Sequence, residues 1–498
     1  IFQKTIFGIL FISLLSFNGN ATDYYVNDND TSGDIYCVSV GAVYNVASND
    51  GLSNDEPLLS IAAVIAAHGP GGTGMIASGD VFYIDAGMYY QTDANLGINL
   101  DNISIIGAGS QWTVFDNDAA SSDANRWANI YGDGILIQGV FLTGYNNGTG
   151  DAIVLQIDGA TNFTINDVMV NENLPGGGSA AIFITGGSTG TFNGGGASCN
   201  PPNPSVAGGG VNIEGNNNVV TFNNYTLAGN SKDLQGGGAM RINGNATTIV
   251  AINNSLIEDN YTNGAEGGGG IMALNGCQVT ISGSCFHNNS ANQTSSVNYG
   301  GAISIGRGST ATITSCSFSG NSATPSGNGG AISINTGLGS TGTTATANVT
   351  NCAFTGNSAT SDGADILGRV STSRAAVFNI DQCTWSGTAE DITNDNTATI
   401  TVTNSGNPTT SGAVSITVAP ATTSPTLACP SAPTPCFSVL PVEFIDFSIA
   451  CENEAMKLNW STASERNNDY FKVYYSNDYD HWYEALNVKG KGNTQSRS

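Results

Sequence analysis

The sequence predicts an all-β chain wound as a parallel β-helix, one coil per repeat, and three observations carry that prediction. First, Gly-Gly pairs open repeats at Gly208, Gly237, Gly269, Gly300 and Gly329, with spacings of 29, 32, 31 and 29 residues. The hexapeptide GGAISI stands at Gly300–Ile305 and again at Gly329–Ile334. Second, a short apolar alternation follows each pair: Val211/Ile213, Met240/Ile242, Met272/Leu274, Ile303/Ile305 and Ile332/Ile334. Alternation at period two is the pattern of a strand with one buried face. Third, a second strand in each repeat ends in a large apolar residue: Leu227, Ile257, Phe286, Phe318, Phe354 and Trp385. An asparagine follows three residues later at Asn230, Asn260, Asn289, Asn321 and Asn357, and Thr388 takes that place in the last repeat.

Equivalent residues in such a solenoid lie one above another. Phe286, Phe318, Phe354 and Trp385 are therefore expected to form an internal aromatic stack. The five asparagines are expected to form an amide ladder that satisfies backbone groups at a corner. Gly-Gly supplies the positive φ of a tight turn. Asn212, Arg241, Ala273, Ser304 and Ser333, between the alternating apolar residues, are expected to point outward. At about 4.8 Å per coil, roughly a dozen coils give a rod on the order of 60 Å. Helical repeats are excluded, because Gly, Thr and Asn are poor helix formers and no 3.6-residue period persists.

The chain divides into five expected segments. Residues 1–21 read as a signal peptide, with Lys4 as the positive region, Ile6–Phe17 as the apolar stretch and Ala21 at the cleavage site. That stretch is shorter than the roughly 20 residues of a membrane span, so no span is expected after cleavage. Residues 22–69 form an N-terminal cap, with EPLLSIAAVIAAHG (Glu56–Gly69) as a short amphipathic helix that prevents end-to-end polymerisation. The β-helix runs over 70–428. It begins with GDVFYIDAGMYY and NISIIGAGSQWTVFDN and ends with TATITVT and GAVSITV. Residues 429–439 are a Pro-rich linker in which Cys429 and Cys436, bracketing CPSAPTPC, are the candidate local disulfide. Residues 440–498 are a partial β-sandwich module: 59 residues where such a sandwich needs roughly 90–100.

Composition narrows the partners. The chain has 498 residues, 65 of them glycine, and only 10% are charged. Acidic residues outnumber basic ones 39 to 13, for a formal charge of −26. A chain this acidic repels phosphate backbones and anionic lipid, so nucleic acid and membrane surfaces are not expected partners.

These residues carry three resemblances. GDVFYIDAGMY followed by ISIIGAG resembles the opening of right-handed β-helix proteins of the pectin lyase-like superfamily. The GGAI…FxxN repeat is similar to that of polymorphic outer-membrane proteins and related bacterial surface adhesins, clearly over Gly208–Ala364. The tail, with LPVEF, LNWSTASE and NDYFKV, resembles the β-sandwich module of secreted Bacteroidetes proteins that precedes a type IX sorting domain. The resemblances imply a right-handed β-helix, handling by a secretion machinery, and a place outside the cell or on the outer-membrane exterior of a Gram-negative bacterium.

No catalytic or metal-binding set emerges from the sequence. On this scaffold a lyase or hydrolase needs a base near carboxylates or Ca²⁺, or paired carboxylates. Arg126, Lys232, Arg241, Arg307, Arg369 and Arg374 read as isolated solvated charges, and Arg241 has Asn212 and Ala273 as its coil neighbours. His68 closes the cap helix and His287 lies in a turn. Carboxylates gather at Asp116, Asp118, Asp123, Asp151, Asp158, Asp167 and Glu172, where DNDAASSD could hold Ca²⁺ or be a solvated loop. Cys316, Cys352 and Cys383 share one repeat position, as a buried thiol ladder or an inter-coil disulfide. The outward pairs Thr221/Asn223, Thr280/Ser282, Thr312/Thr314 and Asn348/Thr350 make a small uncharged face, interrupted by Ala251/Asn253 and Asn379/Asp381.

The expected function is a secreted or cell-surface β-helix adhesin or binding scaffold for polysaccharide or a surface protein, with no cofactor and no catalysis. A polysaccharide lyase or glycoside hydrolase is the alternative, and an ice-binding rod with a flat Thr face is a remote one.

Overall fold

The computed structural model describes residues 21–417, broken at short loops of which 118–125, 146–152, 202–208, 293–299 and 336–343 are the longest, and four strands between 444 and 494. Residues 1–20 of the expected signal peptide, Cys429, Cys436 and Thr388 lie outside the described residues. The chain forms two units, 1–436 and 437–498.

The first unit is a parallel β-helix. One coil shows the plan: Ile271–Leu274, then Gln278–Ser282, then Cys285–His287, then Ser290–Ala291. First legs stack into a 12-stranded parallel sheet running from Leu96–Ile98 to Thr410–Ser411. Second and third legs share a 22-stranded sheet, and the fourth legs of five coils form a 5-stranded one. Among the described residues this first-leg sheet has twelve strands.

Left-handed residues mark the corners of each coil. Between second and third legs sits a residue in the left-handed region, such as Asn254 (φ 50°), Ser315 (φ 53°) or Asn351 (φ 54°). A second left-handed residue, such as Asp259 (φ 52°) or Gly320 (φ 66°), precedes each ladder asparagine. The Gly-Gly pairs divide their labour. Gly300 has φ 62°, and a Cβ on Gly301 would meet the carbonyl oxygens of Gly330 at 2.3 Å and Ser322 at 2.4 Å. The first glycine turns the chain and the second lets two backbones touch.

Phe286, Phe318, Phe354 and Trp385 stack with centroids 4.9, 5.1 and 4.6 Å apart and planes within 12° of parallel. The asparagine ladder is fully formed. Asn289 Nδ2 donates to Asn321 Oδ1 (3.0 Å) and to the Ile257 carbonyl (2.8 Å). Asn289 Oδ1 accepts from the backbone N–H (3.3 Å) and Nδ2 (3.0 Å) of Asn260. The ladder is longer than the FxxN motif shows. Asn173 and Asn200 extend it toward the N-terminus, and the Tyr145 N–H caps it on Asn173 Oδ1 at 3.0 Å. Beyond Asn357 it passes to the buried carboxyl of Asp365 (2.8 Å).

The structure corrects several expectations. The cap helix spans Ile61–His68 rather than Glu56–Gly69, because Leu58 bridges to Val26 and Ala42 and Ser60 takes the N-cap, its Oγ accepting from the Ala63 N–H. The long sheet starts inside the expected cap, since Asp23–Val26 pairs with Val81–Ile84. His68 is buried, its ring lying 5.3 Å from that of Tyr24. Register in the coil after Gly-Gly-Gly-Gly is displaced by one residue. Arg241 pairs with Met272 and Ile242 with Ala273, so Ala273 faces inward and Met272 outward. The left-handed turn falls at Gly268 rather than Gly269, and a one-residue shift exchanges faces. The outward positions are not solvated either: Asn212, Arg241, Met272, Ser304 and Ser333 are all buried.

Cys316, Cys352 and Cys383 form the buried ladder as free thiols, with the Cys316 N–H donating to Cys352 Sγ at 3.4 Å. Cys37 and Cys277 are also free, whereas Cys199 and Cys285 are disulfide-bonded.

The second unit contains two antiparallel hairpins, Phe444–Glu452 with Ala455–Thr462 and Glu465–Tyr475 with Tyr483–Thr494. The rings of Trp460 and Phe471 meet at 5.5 Å.

Two outcomes follow for stability. Asn289→Ala orphans the Ile257 carbonyl and the Asn260 amide, and is expected to cost about 3 kcal/mol by the usual price of buried unpaired polar groups. Asn253→Ala, in a half-exposed ladder, is expected to cost less than about 1 kcal/mol; equal denaturant midpoints for the two variants would contradict this. Asp365 has its carboxyl raised to about 7, by burial first and by Asp391 beside it. Its folded form binds the proton more tightly than the unfolded chain, so stability falls as pH rises from about 4 to about 7. Asp365→Asn is expected to raise the melting temperature at pH 8 and change it little at pH 4. A variant with the wild-type pH slope would sink this account.

Candidate functional site

Two surfaces of the rod carry chemistry. The first is the outer face of the second legs, where strand register aligns side chains across many coils. Thr221, Ala251, Thr280, Thr312, Asn348, Asn379 and Thr401 form one column. Asn223, Asn253, Ser282, Thr314, Thr350, Asp381 and Thr403 form the next. Side chains link along the axis: Asn193 Nδ2 to Asn166 Oδ1 (2.9 Å), Asn223 Nδ2 to Asn193 Oδ1 (2.8 Å), Asn253 Nδ2 to Asn223 Oδ1 (3.0 Å) and Ser282 Oγ to Asn253 Oδ1 (2.8 Å). From Thr164 to Thr350 these two columns contain no charge, in a chain of net charge −26. The residues are half-buried to exposed. Coil stacking thus presents rows of hydroxyls and amides at intervals of about 4.8 Å.

The second is a charged cluster under the loops that cover the first-leg sheet. Arg241, 6% exposed, donates through Nη1 to Glu214 Oε2 (3.3 Å) and through Nε to Glu266 Oε2 (3.4 Å). Asn243 Nδ2 donates to Glu214 Oε1 (2.7 Å), and the Gly236 N–H donates to Glu266 Oε2 (3.3 Å). Lys232 lies fully buried beside this group, and its Nζ has no hydrogen-bond partner among the described residues. Burial first, then the Arg241 charge, lowers the Lys232 ammonium to about 7, against the pull of Glu266 and Glu214. A primary amine near 7 holds a neutral, proton-accepting fraction at physiological pH. The carboxylates are the solvent-facing members, with side chains 41% and 29% exposed.

The isolated charges of the sequence reading therefore come together here: Arg241 and Lys232 share one cluster with two carboxylates that the repeat spacing did not reveal. Glu214 ends a first leg and Glu266 stands just before the glycine run, so only the fold-back of the loops unites them. Among the described residues the early carboxylates form no group arranged to hold a metal ion. Asp167 accepts from the Ser110 N–H and Oγ, and Glu172 is a left-handed corner residue. Asp116 is buried, and Asp118, Asp123 and Asp151 lie outside the described residues. Arg126 binds two amides, Asn129 Oδ1 and Gln156 Oε1. His287 Nδ1 lies 3.7 Å from Glu258 Oε2. Among the described residues no group of three or more His, Cys, Asp or Glu is arranged to hold a metal ion.

No protein-family model matches the chain, and no curated protein does. Among solved structures, the pectate lyase Pel9A is similar at 14% identity and a TM-score of 0.39, over 86% of this chain and 84% of that one. A rhamnogalacturonan lyase is similar at 15% identity and a TM-score of 0.37, over 67% of this chain and 87% of that one. At those TM-scores neither likeness bears on what this chain does; the β-helix assignment rests on the strand register.

The lowered Lys232 amine sets a pH dependence. Its folded state binds the proton more weakly than the unfolded chain, so stability rises with pH from about 7 toward 10.5. Lys232→Met is expected to abolish that rise in denaturant titrations at pH 7 and 9.5 and to stabilise the rod at pH 7. A variant with the wild-type pH slope would contradict the assignment.

Proposed function

We propose that this chain is an exported β-helix that serves as a binding scaffold for neutral polysaccharide at the cell surface. The observation that carries the reading is the charge-free, axially ordered Thr/Asn face of the second legs. A flat array of hydroxyls and amides offers hydrogen bonds to sugar hydroxyls, whereas the strongly negative remainder of the chain disfavours anionic polymers. Export is supported by the apolar N-terminal stretch and by the resemblance of the tail to secreted modules.

The chain is expected to be retarded in native gels cast with a neutral polysaccharide and unretarded in gels with an anionic one, the polymer staying intact. Lysines at Thr280 and Thr312 are expected to abolish the retardation at unchanged melting temperature. Unaltered retardation of that double variant would remove the face from the account.

A second reading is favoured by one specific observation, the partnerless amine of Lys232 beside Arg241 and two carboxylates. On that reading the cluster is an acid–base centre that cleaves polysaccharide, entered between Glu214 and Glu266. Cleared polymer in the same gels, lost in Lys232→Met, would decide for it.

A further inference from the structure

We propose that the N-terminal end of the second-leg face is an aromatic subsite, formed by Tyr25, Tyr36, Tyr83 and Trp112, on which an extended, β-linked neutral polysaccharide stacks its sugar rings. This subsite rests on the neutral-polysaccharide reading and adds to it a place and a class of polymer.

Strand register makes the subsite continuous with the Thr/Asn face. The column of Asn223 runs back through Asn193, Asn166, Gln138 and Ile106 to Tyr83 and Tyr25. Its neighbour runs back from Thr221 to Val81. The charge-free stretch of these two columns therefore extends from Val81 and Tyr83 to Asn348 and Thr350. Along it the chemistry changes. Hydroxyls and amides give way to aromatic rings five coils before Asn223, about 24 Å along the axis.

The rings are held in place before any ligand arrives. Tyr25 and Tyr83 stack with centroids 5.5 Å apart and planes 21° from parallel, and Tyr36 tilts against Tyr83 at 5.2 Å. All three are half-buried. The buried Asp85 carboxylate accepts from the N–H groups of Ile35 (2.6 Å), Tyr36 (2.7 Å) and Cys37, which pins the loop that carries Tyr36. The Tyr36 hydroxyl donates to the Gly107 carbonyl at 3.1 Å. Trp112 follows Gly107 at the corner between second and third legs, with its indole lying over Gly109. It is 62% exposed. A large aromatic side chain left in water at the edge of such a patch marks a contact surface rather than a core. Groups fixed beforehand lose little freedom on binding.

Ring chemistry names the ligand. An aromatic face is partially negative and attracts weakly positive C–H groups. A pyranose with equatorial substituents turns such groups to both faces of its ring, and β-1,4 linkage joins these rings into an extended chain. An extended chain lies along a straight column and meets successive rows of hydroxyls and amides at about 4.8 Å. A coiled α-linked chain leaves the column after a few sugars. The two columns offer no ionic contact between Val81 and Thr350, which suits an uncharged polymer.

The test uses the full chain and two soluble glucans, hydroxyethylcellulose for the β-1,4 linkage and glycogen for the α-1,4 linkage. Native gels cast with hydroxyethylcellulose are expected to retard the wild type, and gels with glycogen are not. Tyr36→Ala combined with Trp112→Ala is expected to raise the dissociation constant for hydroxyethylcellulose about tenfold, from the loss of two stacking contacts, at unchanged melting temperature. Hydroxyethylcellulose is expected to shift the tryptophan emission of the wild type, and Trp112→Phe is expected to lose that shift while still being retarded. Wild-type affinity in the Tyr36/Trp112 variant, or an emission spectrum of the wild type unchanged at saturating hydroxyethylcellulose, would overturn the subsite and leave the Thr/Asn face standing. Equal retardation by glycogen, or retardation only by some other neutral polysaccharide, would overturn the β-linked class. Retardation of the wild type by no neutral polysaccharide would overturn the subsite together with the reading it rests on.

Discussion

The structure depends on in-register stacking at the corner that carries the buried asparagines. A coil that turns sharply leaves backbone amides and carbonyls unpaired inside the rod, where each unmet group costs roughly 1–3 kcal/mol. One asparagine per coil meets this need on both sides. Its amide nitrogen serves the preceding coil's carbonyl and the following asparagine, while its oxygen takes the preceding coil's N–H groups. From Asn173 to Asn357 the pattern repeats without a break, and the flanking aromatic and aliphatic column supplies the apolar burial beside it. Low charge and high glycine content follow from that plan, since neighbouring backbones must touch and little room is left for long side chains.

The same stacking creates the surface. Side chains repeated at a fixed position inside are necessarily repeated outside, and the outward columns inherit the axial spacing of the core. Thr280 and Thr312 align for the same reason as Phe286 and Phe318. Where loops fold back over the first legs, the outward residues become a second interior, and charges placed there lose solvent. Lys232 shows the consequence: a cation that would be unremarkable on a strand surface becomes a weakly basic amine beside an arginine and two carboxylates.

Most of the coil was legible in the sequence because a solenoid writes its contacts at constant spacing. The Gly-Gly turns, the alternating apolar pairs, the aromatic stack and five ladder asparagines could be read from that period alone. Asn173 and Asn200 were overlooked because Val170 and Ala197 stand where later coils have an aromatic or large aliphatic residue; an apolar-x-x-Asn pattern would have found them. The slip at Ala273 arose because four consecutive glycines leave the turn's position open by one residue. The cluster around Lys232 was illegible for a different reason. Its members come from a first leg, a fourth leg and a covering loop, and loops of unequal length carry no period.

The most direct measurement is hydrogen exchange resolved to short fragments across the ladder corners. If the asparagines satisfy the corners, amides within 257–260, 286–289 and 318–321 will be as protected as those of the adjoining second-leg strands, because the corner N–H groups donate to the next asparagine. Corners that exchange as fast as exposed loops while the strands stay protected would show that the coils are held by their sheets alone.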